Sequence, residues 1–570
     1  MTARTRPASR TRSASGPRAG SLPTDWWQRG VIYQIYPRSF ADSDGDGIGD
    51  LPGILAHLDH LESLGIDALW LSPIYPSPGL DVGYDVSDHS AIDPVFGTMD
   101  DFDRLVAAAH ERGLGVILDL VLNHTSHLHP WFVDSRSSQD NEHADWYLWR
   151  DPAGWRRGKP IPPNNWASIF GGGAWEWEPK RKQFYMHTFL REQPELNWRN
   201  PAVRTAQLEM IRGWLARGVD GFRLDVFNAL FKHPDLPSNP PRVPPPKGIR
   251  RLRAWNRQQH PYDRNQPDLD DFLAEFRAIV DEVPGRMTVG ELFEDALEVG
   301  VGHSQPRHLV FEFALLRQPW EAEALAGVID QREARYESDR WPTVVLSNHD
   351  QPRHASRLAK GPERDAVAKA AAVLLLTLRG TPFLYYGEEI GLGDVKVPRK
   401  EIVDPPARRY WPLPLWWNRD QCRAPMPWTG EPNGGFTTGR PWLRLAPDYP
   451  TRNVAAQAAD PGSVLNAYRR LLAIRRTLVP LQVGSFRWVI RARDEVLAYR
   501  RDSPGEAVLV AINLGAEAIS VALADPATAA LTWEPIYTTD PHGAGRRPLD
   551  GVVLRLVGRE AVLLRATVGG

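Results

Sequence analysis

Short apolar runs recur along the chain, each closed by a polar loop and followed by a helical pattern. They are "VIYQIYP" (31–37), "ALWLSP" (68–73), "GVILDLVL" (115–122), "GFRLDVF" (221–227), "MTVGEL" (287–292), "HLVFEFAL" (308–315), "TVVLSN" (343–348) and "TPFLYYG" (381–387). Near-continuous apolar runs rich in β-branched and aromatic residues predict strands buried on both faces. Between several of them apolar residues recur at helical spacing, as in "MDDFDRLVAAAHERG" and "PAVRTAQLEMIRGWLARG". Strands alternating with helices imply a parallel sheet, and eight such units fit a (β/α)8 barrel. A doubly wound open sheet is the alternative, but no G-x-G-x-x-G follows the first run.

Three gaps are too long for simple connections. Residues 125–200 are rich in Trp, Gly and Pro and predict a subdomain inserted after strand three. Residues 232–265 contain "PSNPPRVPPPKG", which reads as an extended surface excursion. Residues 388–460 follow strand eight and read as a large capping loop. After residue 485 or so the rhythm changes to short strand candidates separated by turns, such as "EVLAYRRDS" and "AVLVAINLG". The expected fold class is therefore α/β: a (β/α)8 TIM barrel with an inserted subdomain and a C-terminal antiparallel β-sandwich. Its expected parts are a disordered basic tail (1–23), the barrel (24–124 and 201–484), the insert (125–200) and the sandwich (485–570).

Composition narrows the function. A formal net charge of −2 gives no electrostatic reason to expect nucleic acid or an anionic membrane as partner. Cys422 is the only cysteine, which excludes an intrachain disulfide, and no apolar run approaches the ~20 residues that span a bilayer. The tail "MTARTRPASRTRSASGPRAGSLP" lacks the apolar core of a signal peptide; it reads as disordered, with a transit peptide as the alternative. A cytoplasmic protein is the expectation. The 22 Trp, many in loop-like stretches, would suit stacking on sugar rings, although core filling is the favoured explanation of any single one.

The segment "DSDGDGIGD" (42–50) matches the first nine positions of an EF-hand loop. Position 12 is Gly53 where a Glu is required, and the loop follows a strand, so the sensor reading fails. Four carboxylates this close repel one another and favour a hard cation; a solvated Asp/Gly turn is the alternative.

The chemistry is expected where ionisable residues interrupt the apolar runs. Asp119, Asn123 and His124 belong to "GVILDLVLNH", Arg223 and Asp225 to "GFRLDVF", Glu291 to "TVGELFE", and Asn348, His349 and Asp350 to "TVVLSNHD". In a (β/α)8 barrel the C-terminal strand ends converge on one pocket. Each residue alone has a plain structural reading: a satisfied core acid for Asp119, an ion pair for Arg223 and Asp225. Four strand ends with the same feature read as a catalytic inventory. No H-E-x-x-H, G-x-S-x-G or phosphate-binding Gly loop is present. Paired carboxylates with aromatics point to glycoside chemistry, with Asp225 kept ionised beside Arg223 and Glu291 protonated by burial.

These residues stand in four ordered motifs, "DLVLNH", "GFRLDVFN", "GELFE" and "LSNHD", supported by "GVIYQIYPRSFADSDGDGIGDL", "LDVGYDVSDHSAIDPVFGT", "EQPELNWRNPAV" and "CRAPMPW". Together they cover residues 27 to about 450, and the chain resembles the α-amylase superfamily, in its α-glucosidase and oligo-1,6-glucosidase branch. The resemblance implies that Asp225 is the nucleophile, Glu291 the acid/base and Asp350 the transition-state stabiliser. It implies that His124, His349, Arg223 and Arg423 serve the first sugar pocket, and that Asp81 and Tyr84 cap the non-reducing glucose. It further implies a structural Ca2+, with Mg2+ as the alternative, bound by Asp42, Asp44, Asp46 and Asp50 and by the carbonyl of Ile48. Val226, after the nucleophile, is the residue type that goes with α-1,6 linkages in this branch. Ala424 and His89 depart from the commoner Thr and Tyr.

The expected function is a retaining, exo-acting α-glucosidase on maltose- or isomaltose-type sugars, a monomer or homodimer whose partner is a small oligosaccharide. A trehalose- or sucrose-type glucosyl isomerase or transglycosylase is the first alternative. An inactive glycosidase-like binding subunit is the second, disfavoured because all three acids are present.

Overall fold

The computed structural model describes residues 22–292, 308–336, 340–359, 361–523, 525–540, 549–550 and 553–567. The tail expected to be disordered lies almost wholly outside the described residues.

All eight expected barrel strands form. They are β1 (Ile32–Ile35), β2 (Ala68–Leu71), β3 (Gly115–Leu120), β4 (Gly221–Leu224), β5 (Met287–Gly290), β6 (His308–Val310), β7 (Thr343–Val345) and β8 (Thr381–Tyr385). Every ladder between them is parallel, in the order β6-β5-β4-β3-β2-β1-β8-β7. The β6–β7 seam has no backbone ladder; the Thr343 hydroxyl closes it, donating to the Val310 carbonyl (3.2 Å) and accepting from the Glu312 N–H (3.1 Å).

The period of two along each strand sorts side chains into two cores. Ile32, Ala68, Trp70, Ile117, Met287, Val289, Leu309, Val345 and Phe383 fill the barrel, with Trp26 and Trp27 in the same cluster. The alternate residues, among them Tyr33, Leu69, Leu118, Leu224 and Val344, pack outward in the large cluster that includes the helices. Helix Met99–Glu111 starts in a capping box between Thr98 and Asp101, and Pro201–Ala216 starts with Asn200 accepting from the Ala202 N–H.

The same parity carries the functional residues. Continuing the inward positions towards the C-terminal ends gives Asp119 after Ile117, Arg223 on β4 with Asp225 just past its end, Glu291 after Val289, and Ser347 and His349 after Val345. The strands themselves stop two to five residues short of the apolar runs, because the chain leaves the ladder there to build the site.

Residues 125–200 hold short antiparallel strands, Trp149–Arg150, Trp175–Glu178 and Gln183–Met186, around a cluster containing Trp166, Trp175 and Phe184. The proline-rich segment is not a free excursion. Leu236 joins that cluster, and Asn165 and Asn239 bond reciprocally through side chain and backbone at 2.9 and 2.8 Å. The C-terminal region stacks a five-stranded antiparallel sheet on a three-stranded one, with Ile490, Leu509, Val521, Leu554 and Leu564 in one core. No helix among the described residues is long and apolar enough to cross a membrane.

Candidate active site

A cavity of about 420 Å³ opens at the C-terminal ends of the barrel strands. Asp81, Tyr84, His124, Asp225, Glu291 and Asp350 line it, and Phe170, Phe189, Val226 and Trp416 form apolar walls. The volume suits a disaccharide-sized ligand. Every catalytic and sugar-binding residue expected from the sequence lies in this cavity or in direct contact with a residue that does.

Arg223 organises the floor. It is fully buried and stands 5.3 Å above the Trp70 ring. One terminal nitrogen donates to Asp119 Oδ1 (2.7 Å) and Asp225 Oδ1 (2.8 Å), and the other donates to Glu291. One guanidinium thus faces three carboxylates and balances one of them. Burial pushes Glu291 well above the usual carboxylate range, with Arg223 opposing and Asp225, Asp350 and Asp119 adding repulsion. Burial thus favours the protonated form of Glu291, and it also raises Asp119, behind the same guanidinium, to about 7 against the pull of Arg223. From the sequence Glu291 lacked a basic neighbour; the structure supplies Arg223 from the adjacent strand, and burial still prevails.

Asp350 has the opposite environment. Burial works against its ionisation, but His349, Arg419 and Arg423 hold its carboxyl well below the ordinary range. Arg423 donates to Asp350 Oδ1 at 2.8 Å and to the His349 carbonyl at 2.8 Å, and Arg419 reaches the same Oδ1 at 3.3 Å.

A hydrogen-bonded chain supports the floor from below. The Gln34 amide donates to His349 Nδ1 (2.8 Å), which places the imidazole proton on Nε2, 2.7 Å from the Tyr84 hydroxyl. Tyr84 then donates to Asp119 Oδ2 at 3.1 Å, and its ring stacks on His349 with centroids 5.4 Å apart. Burial lowers His349 to about 3, so it is neutral at working pH. His124 is also lowered by burial, and its Nε2 lies 3.1 Å from the Tyr84 carbonyl.

At the blind end, Asp81 accepts from Arg419 (2.9 Å) and Gln193 (3.1 Å). Burial raises Asp81 to about 6, against the pull of Arg419 and with the repulsion of Asp85. Val226 holds a left-handed conformation at φ 37°, costly for a β-branched residue, in the turn directly after Asp225.

In the loop after β1, carboxylate oxygens of Asp42, Asp44 and Asp50 lie within 4.8 Å of one another. Asp46 stands outside that group; its Oδ1 accepts from the Ile48 N–H at 2.7 Å, and Ile48 packs its side chain on the main core. Burial, together with repulsion from Asp44, Asp42 and Asp50, raises Asp46. Three converging carboxylates are a hard-cation donor set. The loop is docked on residues 436–442: Asp42 N–H donates to the Phe436 carbonyl (2.9 Å), and Trp442 N–H donates to the Gly47 carbonyl (3.0 Å).

The family model for the alpha amylase catalytic domain matches residues 34–483. The chain belongs to the α-amylase family. It is 43% identical to a probable alpha-glucosidase of Rhizobium meliloti, over 92% of this chain and 94% of that one. It is 38% identical to the oligo-1,6-glucosidase of Parageobacillus thermoglucosidasius, over 86% and 90%. Among solved structures, the alpha-glucosyl transfer enzyme XgtA superposes with a TM-score of 0.87 at 42% identity, covering 95% of this chain and 99% of that one. Membership makes this chain an enzyme of the glycoside hydrolase type.

Sequence reasoning missed part of this α-amylase-family site. Arg419 ties Asp81, Asp350 and Asp404 together, yet sits four residues before the Arg423 that the motif marked. Gln193, inside "EQPELNW", braces Asp81, and Asp119, read as a possible core acid, is an arm of the Arg223 cluster. The two departures lie outside the cavity lining. His89 is buried with Nε2 2.9 Å from the Val121 carbonyl, and the Ala424 carbonyl accepts from Tyr386. Cys422 is buried with its thiol pushed up by burial, which leaves it unreactive.

Proposed function

We propose that the protein is a retaining, exo-acting α-glucosidase that releases α-glucose from short α-glucosides of the maltose or isomaltose type. The observation that carries this reading is Asp225 and Glu291 bridged by the single guanidinium of Arg223. Retaining pairs stand about 5–5.5 Å apart and inverting pairs about 6.5–9.5 Å; a shared guanidinium favours the shorter spacing. Asp225 attacks the anomeric carbon while Glu291 gives its proton to the leaving oxygen. Glu291, now a carboxylate, takes a proton from water as that water displaces Asp225 from the covalent β-glucosyl intermediate. Asp350, ionised between Arg419 and Arg423, holds sugar hydroxyls and the developing positive charge.

The closed end formed by Asp81, Tyr84 and Arg419 supports exo action, because it leaves no exit for a longer chain on that side. Val226 lines the cavity and supports α-1,6 linkages as substrates. A structural Ca2+, or Mg2+ in its place, would be held by Asp42, Asp44 and Asp50, with Asp46 and the Ile48 carbonyl completing the set. It would pin the β1 loop to residues 436–442. Glucosyl transfer is a second reading, favoured by the likeness to XgtA and by the apolar walls Phe170, Phe189 and Trp416, which would limit water at the intermediate.

A proton NMR time course with equal maltose and isomaltose tests this. α-Glucose ahead of its β anomer supports retaining hydrolysis, and the faster-falling sugar gives the linkage. A rearranged disaccharide in place of glucose would overturn hydrolysis, and first-formed β-glucose would overturn retention.

A further inference from the structure

The α-glucosidase reading leaves the outer half of the cavity unexplained, and its charge is unusual. In a chain of net charge −2, residues 236–262 carry Arg242, Lys247, Arg250, Arg251, Arg253 and Arg257 and no Asp or Glu. This segment is fixed in place by the Asn165–Asn239 bonds and by Trp166 Nε1 donating to the Pro237 carbonyl at 2.8 Å. It delivers Arg250 and Arg253 to the cavity lining, beside Arg317 from the turn after β6.

The two groups of arginines differ in kind. Arg223, Arg419 and Arg423 are each paired with carboxylates. Among the described residues, Arg250 and Arg253 form no ion pair with a carboxylate. Arg253 donates to the Ile169 carbonyl at 2.5 Å and lies 4.7 Å over the Trp416 ring, while its Nε is shielded from water without a partner. Burial lowers its pKa, and Arg250 lowers it further. Arg253 is held by Ile169, Trp416 and a hydrogen bond with Tyr410, and the exposed Arg250 stands near enough to act on its charge; among the described residues neither has a carboxylate partner, while Asp81, Asp225 and Asp350 lie on the floor. An anion would be repelled from the floor and attracted at the mouth, so it fixes a substrate's direction with the glucosyl group inward.

We propose that Arg250 and Arg253 form an anion subsite at the cavity mouth, which takes α-glucosides whose leaving group carries a carboxylate or a phosphate. The inference rests on the α-glucosidase reading for its catalytic consequence, and on the basic mouth, anchored at Asn239 and Arg253, for binding. Arg250 and Arg253 are specificity residues here and touch no reacting atom.

Two substrate pairs test it. Maltobionate and maltitol have open-chain leaving groups that differ by one carboxylate in place of a hydroxymethyl. Maltose phosphorylated on its reducing glucose is compared with maltose. The expected kcat/KM ratio of anionic to neutral partner is about tenfold at low salt, falling towards one at about 0.5 M salt as screening shortens the interaction. Arg250→Gln lowers the ratio and Arg250→Glu takes it below one; a ratio within each protein is independent of how much of it folds. A high ratio for one pair identifies carboxylate or phosphate as the source. Calorimetry of maltobionate and maltitol with Asp225→Asn reads the subsite without turnover. Ratios at or below one for both pairs, or ratios unmoved by Arg250→Glu, overturn the subsite while turnover of maltose keeps the α-glucosidase reading. Tighter binding of maltobionate without turnover of any α-glucoside sustains the subsite and overturns the reaction.

Discussion

Asp81 offers a sharp test of how the closed end works. Its carboxyl is raised from 3.8 to about 6 because burial outweighs the pull of Arg419. That rise corresponds to about 3 kcal/mol in favour of the neutral form. Only the ionised form is an acceptor at both oxygens, so sugar hydroxyls bound there require pH above about 6. The expected kcat/KM profile of the free enzyme therefore includes an acidic limb near pH 6. Asp81→Asn keeps the shape and removes the titration. At pH 7 it should lower kcat/KM by about 10–150-fold, the worth of a hydrogen bond to a charged group. At pH 5 the wild type is only about one-tenth ionised at this group, so its advantage should shrink about tenfold. Stability carries the same signature with a definite sign. Between pH 3.8 and about 6 the unfolded chain releases the Asp81 proton and the folded chain keeps it, so stability falls as pH rises through that window and is then level. Asp81→Asn should remove that fall. The assays are initial rates and urea unfolding, both across pH 4–8 or so. An acidic limb persisting at the same pH in Asp81→Asn would refute the assignment.

Arg419→Ala leaves Asp81 and Asp404 buried without their cation and is expected to cost about 3–5 kcal/mol in urea unfolding, most of it recovered when Asp404 is also replaced by Leu. Failure of the second change to recover stability would mean that the pairing is not the cause. Gly290→Ala puts a Cβ 2.4 Å from the Phe227 ring, next to the turn that carries Asp225. The expected loss is about 10²-fold in kcat with KM little changed, and an unaltered kcat would show that the turn yields without moving the nucleophile. Added Ca2+ is expected to raise the unfolding temperature, an effect lost in Asp42→Asn, whereas a chelator should not stop turnover at once. Immediate loss of activity with the fold intact would make the ion catalytic.

How much was legible in the sequence follows from the range of each interaction. Strand existence, order and the inward parity of Asp119, Arg223, Asp225 and Glu291 are local: a period of two, read within one run, fixes which face a residue takes. The three acids were legible because ionisable residues at buried strand ends need a reason, and the ordered motifs named it. Strand length was overestimated, since an apolar run does not record where the backbone leaves the ladder. The loops carry no period, so their partners were out of reach. Arg419 meets Asp81 across 338 residues, Asn165 meets Asn239 across 74, and the proline-rich segment shows only as composition until it is seen packed on the insert. The prolines alone carried its reading as a surface excursion, and only tertiary packing turns Arg250 and Arg253 towards the cavity. The acid assignments divide in the same way. The sequence pointed to a shared pocket and to a Glu291 protonated by burial; only the fold shows that burial still prevails with Arg223 alongside Glu291, and that Arg419 and Arg423 converge on Asp350, because two arginines on one carboxylate favour the charge.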